Sequence, residues 1–194
     1  MLLLVAGVSV LLVLASCAHK YHVLRDPAQL QGFILSQDAQ IFVAVADDGY
    51  FGETRYHNSG VTTTMAIVRA FSAYTRHIEA ALEPVNLATA IEHAKAGGYE
   101  YLVWPMILHW EDRASEWSGI PDRINLRIAI VDVSTGSLLD STIISAESRV
   151  DGGFSASPSD LPEDLLKRPL ADFASQLFAR EVAPSQPAPD KRTH

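Results

Sequence analysis

The chain has 194 residues, a length typical of one domain with short flanking segments. Acidic residues outnumber basic ones by 23 to 15, and the net charge of −8 argues against a basic nucleic-acid-binding surface, so we expect no nucleic-acid partner. Apolar residues make up 48 %, which is too many for a disordered chain. Because there is only one cysteine, Cys17, neither an intrachain disulfide nor a cysteine zinc cluster can form.

The N-terminus reads as a secretory signal. Residues 2–16 carry no charged side chain, and this run is shorter than the ~20 apolar residues that a membrane-spanning helix needs. It ends in Leu14-Ala15-Ser16-Cys17, which resembles the bacterial lipobox, a signal whose cleavage leaves an acylated cysteine at the new N-terminus. We therefore predict a lipoprotein signal peptide at 1–16 and a lipid, palmitate included, on Cys17.

Two alternatives for this segment stay open. Signal peptides usually begin with Lys or Arg, whereas here only the amine of Met1 is positive, so the true start can lie upstream. An uncleaved anchor helix or a buried core helix would also suit an uncharged apolar run. The lipoprotein interpretation is favoured because it also accounts for the single cysteine.

The predicted lipid sets the expected location. Residue 18 is alanine rather than aspartate, which by resemblance to the sorting rule of enteric bacteria favours the outer membrane, on its periplasmic face. The acidic chain would be repelled by anionic lipid, so the anchor at Cys17 and not a basic patch is expected to hold the protein at the membrane.

The rest of the chain divides into three predicted parts: a lipidated tether at 17–38 with one short helical turn around 28–35, a single domain at 39–180, and a disordered proline-bearing tail at 181–194. Within the domain the patterns predict, in order, a strand at 40–46, a long loop to Gly60, a helix capped by Ser59 and stopped by Pro84, a very short strand at 84–87, a helix capped by Asn86, strands at 99–112, 124–130 and 138–148, and a helix after Asp160 that Pro169 kinks.

This order of elements predicts an α/β fold. Two to three helices on one face of a mixed sheet of about four to five strands would give a two-layer sandwich. In the long strand, simple alternation places Leu102 and Trp110 on one face and His109 and Glu111 on the other. Pro105 within this strand indicates a bulge or an edge position.

The densest cluster of chemically capable side chains lies at the end of that strand. His109 and Glu111 are two residues apart, so on a strand they point the same way, and Asn125 or Arg127 of the next strand is expected to face Glu111. The candidate binding residues are His109, Trp110, Glu111, Asp112, Arg113, Glu116 and Trp117. No third ligand stands at a diagnostic spacing, so we predict no metal, no cofactor and no catalytic residue.

Three hypotheses follow for this cluster. A binding or assembly module is favoured, because tryptophan among charged residues is typical of protein interfaces and the expected partner is another envelope protein. An envelope hydrolase that uses His109 and Glu111 is the alternative, and an inert spacer is the third. The loop at 47–60, which precedes a helix N-terminus, is read as a plain connection more readily than as an anion site.

The same residues resemble a known family. The segment Ile107-Leu108-His109-Trp110-Glu111-Asp112-Arg113, followed by Glu116-Trp117-Ser118-Gly119, is similar to a domain-of-unknown-function family of lipoproteins from Pseudomonas-like proteobacteria, over residues 35–178. This resemblance implies an envelope lipoprotein and assigns no catalytic residue. At the level of fold, the element order is also similar to envelope lipoproteins that activate penicillin-binding proteins, an analogy that transfers no function.

Overall fold

The computed structural model of the chain describes residues 20–25, 33–112, 120–148 and 164–178. The elements in chain order are β1 (Lys20–Arg25), β2 (Ile41–Val43), β3 (Tyr50–Phe51), β4 (Thr54–Arg55), α1 (Ser59–Phe71), β5 (Ile78–Ala80), α2 (Leu87–Ala96), β6 (Tyr101–Glu111), β7 (Arg123–Asp132), β8 (Leu138–Glu147) and α3 (Asp164–Leu177). The predicted signal peptide with Cys17 and the predicted tail lie outside the described residues.

Six strands form one mixed sheet in the order β1-β8-β7-β6-β2-β5, and β3 pairs with β4 in a separate hairpin. The strand β2 runs parallel to β5 and β6, whereas the remaining pairs are antiparallel. The predicted α/β class is confirmed. The sheet has one strand more than the predicted maximum of five, because β1 joins it at one edge.

The edge strand β5 lies where the sequence pattern predicts helix. The helix α1 ends at Phe71 rather than near Pro84, and residues 78–80 form the short strand that was predicted at 84–87. Spacings of three and four residues continue through Tyr74 and Ile78, which is why the pattern reads as helical. Parallel pairing of Ile78 with Ile41 overrides it, as tertiary context often does for short segments.

The other edge strand, β1, lies in the predicted tether. All six of its residues pair antiparallel with β8. The Arg25 guanidinium forms an ion pair with Asp140 of β8, and the hydroxyl of Thr142 donates to the same carboxylate at 2.9 Å. The Tyr21 hydroxyl donates to Asp172 of α3, and this hydrogen bond raises the pKa of Tyr21. Residues 20–25 are therefore part of the folded domain.

The end of the predicted tether is also folded. Residues 33–35 form neither helix nor strand, Leu35 is buried, and its amide donates to the carbonyl of Leu177 at 2.8 Å. Residues 26–32, where most of the predicted helical turn falls, lie outside the described residues.

The main core lies between the sheet and two helices. Alternate residues of β7 are fully buried against α1 and α3, namely Ile124, Leu126, Ile128 and Ile130. Phe71 of α1 packs near Phe173 of α3, with ring centroids 6.0 Å apart. We call this helix-covered side of the sheet the inner face. Two helices thus share one face, as the predicted sandwich requires.

The third helix packs on the opposite side, which we call the outer face. Ala90 and Ala94 of α2 are buried in a smaller cluster with Phe42, Leu102 and Val131. The helix begins at the predicted cap, where the side chain of Asn86 accepts a hydrogen bond from the amide of Thr89 at 3.0 Å. Because α2 packs on β2, β6 and the Val131 end of β7, the outer face of β1, β8 and the Arg123 end of β7 is left without a described helix.

Candidate functional site

A β-bulge in β6 decides which side chains reach the outer face. Ile107 pairs with Leu126 but His109 pairs with Asn125, so Leu108 is an extra residue between two paired positions. After it, the strict alternation predicted from the sequence is wrong: Ile107 faces the core, whereas His109 points outward. A bulge inserts one residue and so reverses the two sides of the strand beyond it.

Trp110 takes the core position that the bulge creates. Its side chain is buried in the inner-face cluster, so it stabilises the domain and is not exposed as the predicted binding surface requires. Gly49 allows this packing, because a Cβ atom placed there would lie 2.5 Å from the Cβ of Trp110. Trp110 is therefore a core residue, and it is the tryptophan of the candidate segment that lies within the described residues.

His109 and Glu111 come together on the outer face, in the relation predicted for them. The Nε2 atom of His109 lies 3.2 Å from Oε2 of Glu111, within hydrogen-bonding distance. The histidine side chain is 29 % exposed and the glutamate side chain 3 %, so the carboxylate is largely removed from water. Since a buried carboxylate needs polar partners, the contact with His109 helps to hold it in place. The ring of Phe51 packs edge-on against His109 with centroids 5.3 Å apart.

The strand register gives Glu111 a different neighbour from the two predicted. Glu111 lies opposite Arg123, and Asn125 lies opposite His109. Arg127 is directed elsewhere, since its Nε donates to the hydroxyl of Ser141 at 2.9 Å. The bulge moves the pairing of the last residues of β6 by one position, from Asp122 to Arg123 in the case of Glu111, so neither predicted neighbour lies opposite Glu111 with or without the bulge.

Two rows of polar side chains cross the outer face at this end of the sheet. The first row alternates in charge, through Lys20, Glu147, Arg123 and Glu111, and the second consists of His22, Ser145, Asn125 and His109. All of these residues except Glu111 line an open groove of about 360 Å³, which we call the polar groove. Arg123 Nη2 lies 3.5 Å from Glu147 Oε1, a long contact between two partly exposed side chains.

Most of the polar groove was missed by the sequence reasoning. Of its residues only His109 was predicted to belong to the site, since Lys20 and His22 fall in the predicted tether and Glu147 in a third strand. The missing signal is long-range: β1 and β8 are far apart in the sequence, and only their pairing places His22 beside Ser145.

Exposed aliphatic side chains adjoin the polar groove on the same face. Leu24 of β1 is 64 % exposed and lies opposite Ile143 of β8, which is 38 % exposed. Leu108, the bulged residue of β6, is 54 % exposed. Aliphatic side chains beside a polar surface are typical of protein interfaces. We call Leu24 and Ile143, which lie side by side, the aliphatic patch.

The remaining predicted site residues divide between described and undescribed positions. Asp112 follows β6 directly, and its carbonyl accepts a hydrogen bond from the hydroxyl of Tyr56 at 3.3 Å. Arg113, Glu116 and Trp117 lie outside the described residues, so their role in binding stays a prediction.

The loop at 47–60 provides a hydrogen-bond acceptor for a backbone amide at the N-terminus of α1. The Oδ1 atom of Asp48 accepts a hydrogen bond from the amide of Gly60 at 3.1 Å, so the chain's own carboxylate stands where an anion would bind. Ser59 does not cap α1 as predicted. Its hydroxyl instead accepts from the amide of Gly49 at 2.8 Å and donates to the carbonyl of Tyr56, which fixes the loop. These contacts agree with a structural connection.

Two further observations limit what the described residues can do. No group of three or more His, Cys, Asp or Glu among them is placed to hold a metal ion. Within the same part of the chain, none of the helices has both the length and the apolar character that crossing a membrane demands.

Comparisons with known proteins place the fold. A family model described as a domain of unknown function, DUF4823, matches residues 34–177. The chain is similar in structure to PelC from Paraburkholderia phytofirmans, solved as a dodecamer, with a TM-score of 0.60 and 16 % identity over 84 % of this chain and 100 % of PelC. It is more distantly similar to the lipoprotein GNA1162 from Neisseria meningitidis, with a TM-score of 0.42 and 13 % identity over 74 % of this chain and 99 % of that one. No curated protein matches the chain.

Proposed function

Given that the chain belongs to the DUF4823 family of domains of unknown function, we propose that it is a lipid-anchored protein of the bacterial envelope whose domain serves as a binding and assembly module. In this proposal Cys17 carries the lipid, which anchors the protein to the outer membrane. The domain lies on the periplasmic side, where the outer face of its sheet contacts a protein partner.

The uncovered outer face is the observation that carries the proposal. The inner face of the same strands is covered by α1 and α3, whereas the aliphatic patch on the outer face is exposed to water. Leu24 and Ile143 would be buried in a complex, and each buried methylene contributes roughly 0.8 kcal/mol. The polar groove beside them provides the polar rim that interfaces usually have.

Other copies of this chain are the first partner that we propose. The PelC structure with a similar fold is a dodecamer, which supports assembly as a role for this fold. The identity of 16 % carries no interface from one protein to the other, so the contact surface is argued from the aliphatic patch alone. A second envelope protein is the alternative partner.

The test compares two matched surface substitutions in the detergent-extracted, acylated protein. Ile143→Asp introduces a charge into the aliphatic patch, and Leu82→Asp introduces the same charge at a fully exposed residue far from it in the fold. We expect Ile143→Asp to reduce the molar mass measured by light scattering, or to abolish crosslinking to the partner, and Leu82→Asp to change neither. Equal behaviour of both variants and the wild type would contradict the proposed interface.

A second test concerns Trp117, which belongs to the part of the candidate segment outside the described residues. If the module binds through Trp117, Trp117→Ala should abolish crosslinking, whereas His109→Ala should leave it nearly intact. The reverse result would move the interface to the polar groove.

An envelope hydrolase remains the second candidate because His109 and Glu111 are in contact. A histidine held by a carboxylate is the arrangement that general-base catalysis uses. In that case either His109→Ala or Glu111→Gln should abolish hydrolysis of envelope substrates by the purified protein. Activity that survives both substitutions would exclude this candidate.

A further inference from the structure

The start of β1 is close in sequence to the proposed lipid. β1 begins at Lys20, only three residues after Cys17. A fully extended chain spans at most about 3.6 Å per residue, so Lys20 stays within roughly 11 Å of the anchored cysteine whatever conformation the linker adopts.

The strand register shows which part of the domain this short linker holds. Lys20 lies opposite Glu147 at the end of β8, Glu147 lies opposite Arg123 at the start of β7, and Arg123 lies opposite Glu111 at the end of β6. These four residues form one end of the sheet, which we call the proximal end. The turn between β7 and β8, residues 134–137, lies at the other end, which we call the distal end.

We propose that the proximal end is the surface with which the domain faces the lipid headgroups. This inference rests on the proposed acylation of Cys17. A linker of three residues keeps the proximal end close to the bilayer, whereas the distal end, about 30 Å away along the ten residues of β8, is not held by it. The covalent attachment therefore favours the orientation in which the proximal end faces the lipid.

The chemistry of the proximal end fits a zwitterionic lipid surface. Lys20 and the half-exposed Arg123 supply cations for headgroup phosphates, and Glu147 supplies a carboxylate for headgroup amines. Because the whole chain has a net charge of −8, long-range attraction to anionic lipid does not contribute. The orientation is therefore expected to be the same in membranes with and without anionic lipid.

This orientation also places the polar groove near the membrane. The groove residues of β1, β7 and β8 all lie in the part of each strand that is nearest to the proximal end. The groove consequently opens at the level of the headgroups, whereas the aliphatic patch begins farther from the bilayer.

The test measures the height of each end above a bilayer. The acylated full-length protein is reconstituted into phosphatidylcholine vesicles that contain a rhodamine-labelled lipid, and a donor dye is attached at Ile120→Cys beside the proximal end or at Ser137→Cys at the distal end. Since acylation consumes the thiol of Cys17, each variant has one reactive thiol. We expect energy transfer to the lipid acceptor to be at least about twofold higher from position 120, given the ~30 Å difference in height.

A spacer variant is the matched control. A flexible Gly/Ser insert of about 20 residues between Ala18 and His19 has a root-mean-square length of about 25 Å, which frees the domain to rotate. The difference between positions 120 and 137 should then be largely lost. Persistence of the full difference in the spacer variant would mean that headgroup contacts of Lys20, Arg123 and Glu147 hold the proximal end at the bilayer without the short linker, which supports the proposed surface and overturns the role of the linker.

Mass spectrometry of the same samples separates the two possible failures. An acylated Cys17 with equal energy transfer from both positions, or higher transfer from position 137, overturns the orientation and leaves the lipoprotein proposal intact. A mature protein without an acyl group on Cys17 overturns both.

Discussion

The two faces of the same three strands, β6, β7 and β8, differ in what they contribute. On the inner face of β7, alternate residues such as Leu126 and Ile128 are fully buried under helices. On the outer face, Asn125 and Arg127 alternate with them and remain partly accessible. Because neighbouring residues of a strand point to opposite sides, one short segment provides both the core and a surface for binding.

Two cross-strand ion pairs of the described sheet, Arg25–Asp140 and Arg123–Glu147, show the same contrast. Arg25 and Asp140 are 10 % and 1 % exposed at their side chains, whereas Arg123 and Glu147 are 52 % and 38 % exposed. Water screens the second pair but not the first. The comparison predicts that substitutions inside the domain change its stability, and that substitutions on the outer face change association.

The largest expected effect is that of a core truncation. Ile128→Ala should lower the free energy of unfolding by about 4 kcal/mol, because a fully buried side chain is removed and a cavity is left. Urea denaturation followed by circular dichroism measures this value. Ile143→Ala on the outer face is the matched control and should cost under about 1 kcal/mol. Equal losses for the two variants would show that the outer face is covered in the folded protein.

The buried ion pair comes next. Asp140→Ala leaves the Arg25 guanidinium without its carboxylate in a nearly buried position, and should cost about 3 kcal/mol in the same denaturation experiment. The double variant Arg25→Met with Asp140→Ala should recover part of this loss, since no unpaired charge remains. If the double variant were less stable than Asp140→Ala alone, the charge of Arg25 would not be the cause.

The exposed ion pair should matter little for stability. Glu147→Gln removes a long, solvent-screened contact with Arg123, so the free energy of unfolding should fall by less than about 1 kcal/mol. A larger loss would indicate that Glu147 supports the fold through contacts other than this pair.

The smallest effect is expected at the turn between β7 and β8, away from both faces. Hydrogen bonds from the side chain of Ser134 and from the amide and hydroxyl of Thr135 hold the pKa of Asp132 below its usual value near 3.8. A lowered pKa means that this carboxylate stabilises the folded state above pH 3.8, and that the contribution is lost as the pH falls through the lower folded-state pKa. In Asp132→Asn, acid denaturation curves should therefore be slightly shallower below pH 4. Curves identical to the wild type would contradict a role for this group.

Local patterns were sufficient to predict the centre of the fold. The alternation in β7 and the helical spacing in α3 arise from direct burial against one partner, so each can be read from its own segment. The strand β1 could not be found in this way. Its residues alternate only weakly in hydrophobicity, and its stability comes from pairing with β8 and from the Arg25–Asp140 contact, which no local pattern contains.

The candidate site was predicted in part for the same reason. The contact between His109 and Glu111 follows from a spacing of two residues on a strand, which a sequence shows directly. The reversal at Leu108 does not, because a bulge depends on how β6 and β7 pair. One extra residue therefore moved Trp110 from the predicted surface to the core, and it placed Glu111 opposite Arg123, whereas an unbulged strand would place it opposite Asp122.

The position of β1 at the sheet edge also constrains the order in which the protein is assembled. Arg25 and Asp140 are 115 residues apart in the chain, so β1 is made first but can join the sheet only after β8 has been synthesised. Until then β1 has no strand to pair with, and its unpaired backbone edge can promote aggregation. A protein anchored early by its N-terminus would complete its fold beside the bilayer, with the strand nearest the lipid inserted last.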